Sequence, residues 1–197
     1  MHRLNAFIAL AALLVLSTSF RPAELPAGPP QAQTASAGTP LVLAIDQGER
    51  RMWRFPGGGP LILKVDSKNG GSPDLVMGYE DLAPGAAIPP HRHLIADEII
   101  FVHRGSGVVE VGDRTEPFET GATIYIPKTT RVTLRNTGTG PLSIAFFFSK
   151  PGFEEFLRDM SAPDGQPVVT LTPQGIGAIQ ERNKWHTVFE PQAGSSH

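Results

Sequence analysis

Cysteine is absent from this chain of 197 residues, and charged residues make up only 18% of it. The absence of cysteine excludes disulfides, thiolate metal ligands and a lipid-anchor cysteine, so a hydrophobic core must supply the stability. The chain has 17 Lys and Arg residues against 19 Asp and Glu residues, a formal net charge of −2. This balance lacks the basic surface that nucleic-acid binding requires. We therefore expect no nucleic-acid partner.

Long apolar runs are also scarce. The longest, Ala6–Leu16, has eleven residues, whereas a bilayer-spanning helix needs about 20. A short basic start precedes the run and the small residues Ser17–Ser19 follow it, which is typical of a secretory signal peptide. We predict a signal peptide at 1–19, with cleavage as late as residue 37 as an alternative, and a disordered leader at 20–40. The mature protein is then expected in the periplasm or outside the cell, without a stable membrane span.

Glycine (21 residues) and proline (19 residues) are abundant, together well above the ordinary share of roughly 12%. From residue 41 onward, short apolar segments alternate with turn sequences, which predicts an all-β fold. We predict a β-barrel at 41–150 and an extension at 151–197 that packs on it. The strands of the barrel are expected to begin with a segment at 41–45.

Within the extension, apolar residues at helical spacing predict a short amphipathic helix at 153–160. A weaker helix is predicted at 173–181, with a proline near its start. Short strands are expected at 168–171 and 185–189. A tight turn at Pro163–Gly165 separates the first helix from the segments that follow it.

The segment Gly85–Gly105 carries the clearest chemical signal, the pattern G-x5-H-x-H-x4-E-x6-G. Successive side chains of a strand alternate between its faces, so His91 and His93 should point the same way. After a short turn, Glu98 can return to the same cavity on the next strand. Two imidazoles and one carboxylate form a ligand set for Fe, Mn, Ni, Co or Zn. The alternative is a surface His pair beside an unrelated glutamate.

These residues resemble the first motif of the cupin superfamily, with every position filled. The second cupin motif, G-x5-P-x-G-x2-H-x3-N, is matched by Gly121, Pro127 and Asn136. Two positions depart from it: Thr129 stands where the motif has glycine, and Val132 where it has its metal-binding histidine. Valine has no lone pair, so the usual fourth protein ligand is missing.

The resemblance implies a small antiparallel jelly-roll barrel with a metal in its mouth. It also implies a small-molecule ligand or substrate, and cupins of this kind are compared with quercetin-type dioxygenases. Three hypotheses stay open. The first is an exported enzyme that acts on a small oxygenated substrate with one divalent metal held by His91, His93 and Glu98. The second is a non-catalytic module that binds a sugar or small acid at a degraded metal site, and the third is a structural or partner-binding barrel.

Further residues are candidates around this site. Tyr125 and Val132 are candidates for substrate contact, although the parity of the strand leaves open whether Tyr125 faces inward. Glu80 lies on a predicted strand beside the site and could reach into the cavity. Alternation places His103 on the opposite face from Glu98, and His186 is expected to pack or to face solvent.

The apolar run Phe146–Phe148 supplies phenylalanines to both faces of one strand. Only one face can line the barrel, and exposed apolar patches are uncommon on monomers. Either the helix predicted at 153–160 or a second subunit should therefore cover the outer face. Because cupins commonly pair through their sheets, the resemblance favours a homodimer.

Overall fold

Twelve short strands and two helices make up the fold, which a computed structural model describes for residues 38–55 and 58–190. The predicted signal peptide, most of the predicted leader and the last seven residues lie outside the described ranges. The strands are β1 (Glu49–Trp53), β2 (Pro60–Val65), β3 (Val76–Leu82), β4 (Ala87–His93), β5 (Glu98–Arg104), β6 (Ser106–Val111), β7 (Arg114–Glu119), β8 (Thr123–Ile126), β9 (Val132–Asn136), β10 (Leu142–Phe148), β11 (Ser161–Pro163) and β12 (Thr187–Phe189). The helices are α1 (Phe153–Asp159) and α2 (Pro173–Asn183).

The strands form two antiparallel sheets. One has seven strands in the order β11-β1-β2-β3-β10-β5-β8, and the other has five in the order β12-β4-β9-β6-β7. From β3 to β10 all consecutive strands except β6 and β7 lie in different sheets, and this is the jelly-roll arrangement. The predicted all-β jelly-roll fold is confirmed.

The hydrophobic core lies between the inner faces of the two sheets. Alternation along β10 sends Phe146 and Phe148 into this core, where both are buried, and sends Phe147 to the outside. Gly78 on the paired strand β3 makes room for Phe146, because a Cβ at Gly78 would lie 2.1 Å from the Phe146 ring. The two phenylalanine rings pack with centroids 5.7 Å apart and lead toward the open end of the barrel.

The C-terminal extension adds one edge strand to each sheet. Strand β11 pairs with β1, and β12 pairs with β4, the strand that carries both histidines of the first motif. Helix α1 is tied to the barrel by Arg158, which forms ion pairs with Glu49 and with the buried Asp66. Neither helix is long and apolar enough to cross a bilayer in the described part of the chain.

Two strand predictions are wrong. Residues 41–45 run in an extended path without a ladder, and their large apolar side chains remain exposed or nearly so. Residues 168–171 also form no strand, because this segment meets the barrel through single contacts: the Leu171 N–H donates to the Arg54 carbonyl, and the Arg54 Nε donates to the Val169 carbonyl. Apolar, β-branched composition alone does not make a strand, because the segment must also pair with a neighbouring strand.

Candidate metal centre

His91 and His93 lie at the end of β4, and a bulge determines where they point. The ladder between β4 and β9 shifts register between Ile88 and His91, at the pair Pro89-Pro90. Proline cannot donate a ladder hydrogen bond, so a bulge is the natural place for it. Beyond the bulge, His91 faces the cavity and His93, two residues on, faces the same way, as the spacing predicted.

Glu98 opens β5 after a short turn and points into the same space. Its neighbours in the ladders are Phe148 on β10 and Ile126 on β8, both buried. Asp97, just before it, fixes the turn, because its carboxylate accepts from the Lys128 N–H at 2.9 Å and its own N–H donates to the Ser149 hydroxyl at 2.9 Å. The turn therefore delivers the Glu98 carboxylate to the two imidazoles.

The three side chains converge closely. His91 Nε2 lies 3.1 Å from His93 Nε2, and His93 Nε2 lies 3.3 Å from Glu98 Oε2. One ligand atom from each residue can be chosen so that all three lie within 4.8 Å of one another. Two ligand atoms at about 2.1 Å from an ion lie about 3.0 to 3.4 Å apart for octahedral or tetrahedral angles. The spacing of these atoms thus fits one shared ion.

A buried oxygen without a hydrogen-bond donor lies at this point among the described residues. Glu98 Oε2 is buried and has no hydrogen-bond partner within the described residues. His91 Nδ1 lies 2.8 Å from the Pro89 carbonyl oxygen, which can only accept, so Nδ1 carries the proton and Nε2 offers a lone pair. A buried lone pair and a buried carboxylate oxygen facing each other without a donor are costly. A cation would satisfy both.

Aromatic rings surround the imidazoles and keep water away. The Phe153 ring, at the start of α1, packs edge to face on His93 with centroids 4.6 Å apart and stacks beside His91 at 6.3 Å. Phe189 on β12 stacks on the other side of His91 at 5.6 Å, and Phe148 contacts His93 at 4.7 Å. His93 is only 3% exposed.

Burial sets the protonation of these groups. Desolvation, helped by the neighbouring His93, lowers the pKa of His91 to about 4, and desolvation lowers the pKa of His93 to about 3. Desolvation raises the pKa of Glu98 to about 7, against the opposing effect of His91. Both imidazoles are therefore neutral at pH 7, which is the form that binds a metal.

A cavity of about 580 Å³ opens in front of His91 and Glu98. Its walls are mostly aromatic and aliphatic, with contributions from both sheets and from α1 and α2. The polar residues whose side chains line it are Glu80, His91, Glu98 and Gln180. Among the described residues no lysine or arginine lines it, so the cavity has no cationic side chain to bind an anion.

Glu80 is the second buried carboxylate of the cavity. It lies on β3 and accepts a hydrogen bond from Trp53 Nε1 at 3.1 Å. Desolvation raises its pKa to about 7, while the Trp53 hydrogen bond acts in the opposite direction and the charge of Glu98 adds to the increase. A carboxyl group with this pKa can both hold and release a proton near neutral pH.

The remaining predicted residues are placed as follows. Val132 is buried and lines the cavity beside His91. The expectation that Tyr125 contacts substrate is wrong, because Ile124 and Ile126 take the inward positions of β8 and Tyr125 points outward, 58% exposed. His103 lies on the outer face of β5, as alternation predicted, with its ring beside Tyr79.

Sequence reasoning missed His186 and Thr187. His186 is fully buried, and Thr187 Oγ1 lies 3.1 Å from His93 Nδ1 and 3.0 Å from His186 Nδ1. Desolvation and the neighbouring His93 lower the pKa of His186 to about 4, so its imidazole is neutral at pH 7. No local pattern signals this contact, since it joins residues 94 positions apart.

Thr129, at the glycine position of the second motif, keeps the backbone that glycine would adopt. Its φ is +67°, in the left-handed region that β-branched residues rarely occupy. The Thr129 N–H donates to the His93 carbonyl at 2.6 Å, and its carbonyl accepts from Arg92 Nη1 at 2.9 Å. The strained turn thus holds the end of β4, where the histidines lie, through two hydrogen bonds.

Comparison with known families agrees with this geometry. Residues 78–148, which span β3 to β10 and include all three converging residues, match the family model described as Cupin domain. This segment is a cupin domain. The resemblance predicted from the two motifs is confirmed, and the extension that carries α1, β11, α2 and β12 lies beyond the matched segment.

Individual relatives are distant. This chain is 27% identical over 73 residues to the tetracenomycin polyketide synthase protein TcmJ of Streptomyces glaucescens, covering 37% of this chain and 49% of that protein. The match thus spans about half the length of this curated relative. A predicted oxalate decarboxylase of Thermotoga maritima superposes with a TM-score of 0.50 and 16% identity, covering 56% of this chain and 100% of that one. KdgF from Halomonas sp. gives a TM-score of 0.46 and 21% identity, covering 53% and 89%. At 16% identity the match to the Thermotoga maritima structure shows the fold alone.

Proposed function

We propose that this cupin binds one divalent metal ion through His91, His93 and Glu98 and acts as a metal-dependent enzyme on a small, largely apolar, oxygen-bearing substrate. The observation that carries the proposal is the unpartnered Glu98 Oε2, buried 3.3 Å from His93 Nε2. Three protein ligands leave coordination positions open, and a metal bound there would supply a Lewis acid or an oxygen-activating centre.

The lining of the cavity supports the substrate class. Its walls are apolar, and its volume of about 580 Å³ suits a small organic molecule. A dianion such as oxalate would meet the buried carboxylate of Glu80 and, among the described residues, no lysine or arginine to offset its charge. We therefore favour a neutral molecule that presents one hydroxyl or carbonyl oxygen toward the histidines and its hydrocarbon part to the aromatic wall.

Glu80 has the properties of the acid–base group that such a substrate needs. Its carboxyl group lines the cavity, its pKa is about 7, and Trp53 Nε1 holds one of its oxygens in place. In the ionised form it can accept the proton of a substrate hydroxyl, and in the protonated form it can return one. Phe153 and its neighbouring rings exclude water while this proton moves.

The decisive experiment is elemental analysis of untagged protein purified without chelator, followed by calorimetric titration with Mn²⁺, Co²⁺, Fe²⁺, Ni²⁺ and Zn²⁺. We expect one ion per chain, and loss of that ion in His91→Ala and His93→Ala. His103→Ala is the matched control and should keep the ion, since His103 lies on the outer face. A folded wild-type protein that binds none of the five ions would overturn the proposal and leave an apolar binding module as the alternative.

The substrate class has a separate test. With Co²⁺ bound, addition of 4-nitrocatechol should change the visible spectrum of the cobalt, because an oxygen donor would enter an open position. Oxalate at the same concentration should change it less. The reverse order of the two ligands would contradict the argument from the apolar cavity.

We also propose that the protein is exported after cleavage of residues 1–19. The support is the sequence alone: a short basic start, an eleven-residue apolar run and small residues at the expected cleavage point. N-terminal sequencing of the protein recovered from its native host tests this, and a mature chain that still begins at Met1 would contradict it.

A further inference from the structure

We infer that Asn183, His186 and Thr187 form a one-directional hydrogen-bond chain that holds His93 in the tautomer required of a metal ligand. All three residues belong to the C-terminal extension, outside the segment that matches the cupin family. The inference rests on the proposed function, because His93 needs this tautomer only if it binds a metal. The hydrogen bonds themselves are contacts within the protein.

The chain of hydrogen bonds starts at the end of α2, where the amide orientation of Asn183 is fixed. Asn183 Nδ2 donates to the Ile179 carbonyl at 2.9 Å and to Asp159 Oδ2 at 3.1 Å. A backbone carbonyl can only accept, so the nitrogen of the amide must lie on this side. Asn183 Oδ1 therefore faces His186, whose Nε2 lies 3.0 Å away.

This orientation decides the tautomer of His186. Because Asn183 Oδ1 can only accept, His186 Nε2 must carry the proton, and in the neutral imidazole Nδ1 is then an acceptor. The atom that lies 3.0 Å from His186 Nδ1 is Thr187 Oγ1. The single hydroxyl proton of Thr187 is consequently directed at His186.

The last step reaches the metal ligand. With its proton given to His186, Thr187 Oγ1 accepts from His93 Nδ1, 3.1 Å away. His93 Nδ1 then carries the proton, and Nε2 offers its lone pair toward His91 Nε2 and Glu98 Oε2. Had the amide of Asn183 the opposite orientation, each proton along the chain could reverse and Nε2 of His93 would be protonated and unable to bind a metal.

The two histidines are thus oriented by separate hydrogen bonds. His91 is fixed by the Pro89 carbonyl, two residues away in the same strand. His93 is fixed from the extension, through β12, which pairs with β4 at Thr187 and His93. A hydrogen bond from the second nitrogen of a ligating histidine orients the ring and raises its basicity, and its loss typically lowers metal affinity 10–100-fold.

The first test needs no substitution. In metal-free wild-type protein labelled with ¹⁵N-histidine, two-bond ¹H–¹⁵N spectra should show His93 protonated on Nδ1 and His186 protonated on Nε2 at pH 7. His93 protonated on Nε2, or His186 on Nδ1, would overturn the inference even if every variant described below failed to fold.

The second test measures Co²⁺ affinity by calorimetry in three variants. Thr187→Val removes the hydroxyl at nearly constant volume and should weaken binding 10–100-fold. Thr187→Ser keeps the hydroxyl and should bind as the wild type does. Thr133→Val is the matched control: it removes a hydroxyl that donates to the Ile88 carbonyl at 2.8 Å in the same sheet, and it should not change the affinity.

The outcomes separate the two claims. Wild-type protein that shows the inferred tautomers but binds no metal would overturn the proposed function and leave the hydrogen-bond chain intact. Protein that binds metal, with Thr187→Val folded and binding as tightly as the wild type, would overturn the positioning role and leave the metal site intact.

Discussion

Val132 lies directly opposite His91 in the ladder that joins β4 to β9. Both side chains face the cavity, and Val132 is 1% exposed. The position where the second cupin motif has its histidine is therefore adjacent to the three converging residues, and a side chain there points at the same space. The position of a fourth ligand is therefore present in the fold, but it carries a hydrocarbon side chain.

Val132→His is expected to complete a four-ligand site. An added imidazole beside His91 should tighten Co²⁺ binding about tenfold or more, which corresponds to about 1.4 kcal/mol. Calorimetry on the folded variant measures it. Phenylalanine is similar in size to histidine but has no lone pair, so Val132→Phe is the control and should not tighten binding. Equal affinities for the His and Phe variants would mean that position 132 does not face the ion.

Replacement of Glu80 by Gln should change how stability depends on pH. The pKa of Glu80 is about 7 in the folded chain and ordinarily near 4.5, so the folded state holds the extra proton between these values. The contribution of this group is fully present below pH 4.5 and is lost as the pH rises through 7. Relative to wild type, Glu80→Gln should therefore gain about 2–3 kcal/mol of unfolding free energy between pH 5 and pH 8.

Urea denaturation of the chelator-treated protein at several pH values measures this difference. Gln keeps an acceptor for Trp53 Nε1, so the hydrogen bond itself is not the variable. A constant difference between the two proteins from pH 5 to pH 8 would show that Glu80 has an ordinary pKa and would remove it as the acid–base group.

Thr129→Gly should stabilise the protein. Thr129 has a φ of +67°, where a β-branched residue is strained and glycine is not, and the relief should raise the unfolding free energy by about 1 kcal/mol. The gain is reduced by the greater entropy of glycine in the unfolded chain. Thermal and urea unfolding measure it, with Thr130→Gly as a neighbouring control that should destabilise. A loss of stability in Thr129→Gly would show that the threonine side chain makes a contact worth more than its strain.

The outer face of the larger sheet should form a homodimer contact. Phe147, Ile99 and Tyr125 lie in one row across β10, β5 and β8, and they are 37%, 41% and 58% exposed. Helix α1 does not cover them, because its Phe153 packs on the inward-facing Phe148. An apolar row of this kind on an exposed sheet face favours burial against a second copy.

Light scattering at micromolar concentration should give twice the mass of one mature chain, and Ile99→Glu should give one. Val169→Glu is the control, because Val169 is also an exposed apolar residue but lies outside this row, in the segment before α2. A wild-type monomer would rule out the dimer without affecting the fold or the metal site.

Those parts of the site that depend on local geometry could be predicted from the sequence. The spacing of His91 and His93 places them on one face of a strand whatever the rest of the fold does, and a turn of a few residues brings Glu98 back. Tyr125 shows the limit of such arguments. Its orientation depends on the register between β5 and β8, in which Glu98 lies opposite Ile126, and register is a property of two strands that neither segment encodes alone.

His186 and Thr187 could not be found from the sequence for a related reason. Their contact with His93 depends on β12 reaching the edge of the smaller sheet after two helices and a long loop. Composition predicts a short strand at 185–189 but not the sheet edge to which it adds. The same reason accounts for the segments at 41–45 and 168–171, whose composition suits a strand but which pair with none.

Because β12 pairs with β4, the smallest fragment that could form the complete metal site must extend through β12. A fragment cut after Ser149 would contain every residue of both motifs and would still lack Phe153, Phe189, Thr187 and His186. Its imidazoles would lie open to water, and His93 would be free to take either tautomer. Grafting the motif-bearing segment into another cupin would therefore transfer the ligands but not the site, unless the graft continued through Phe189.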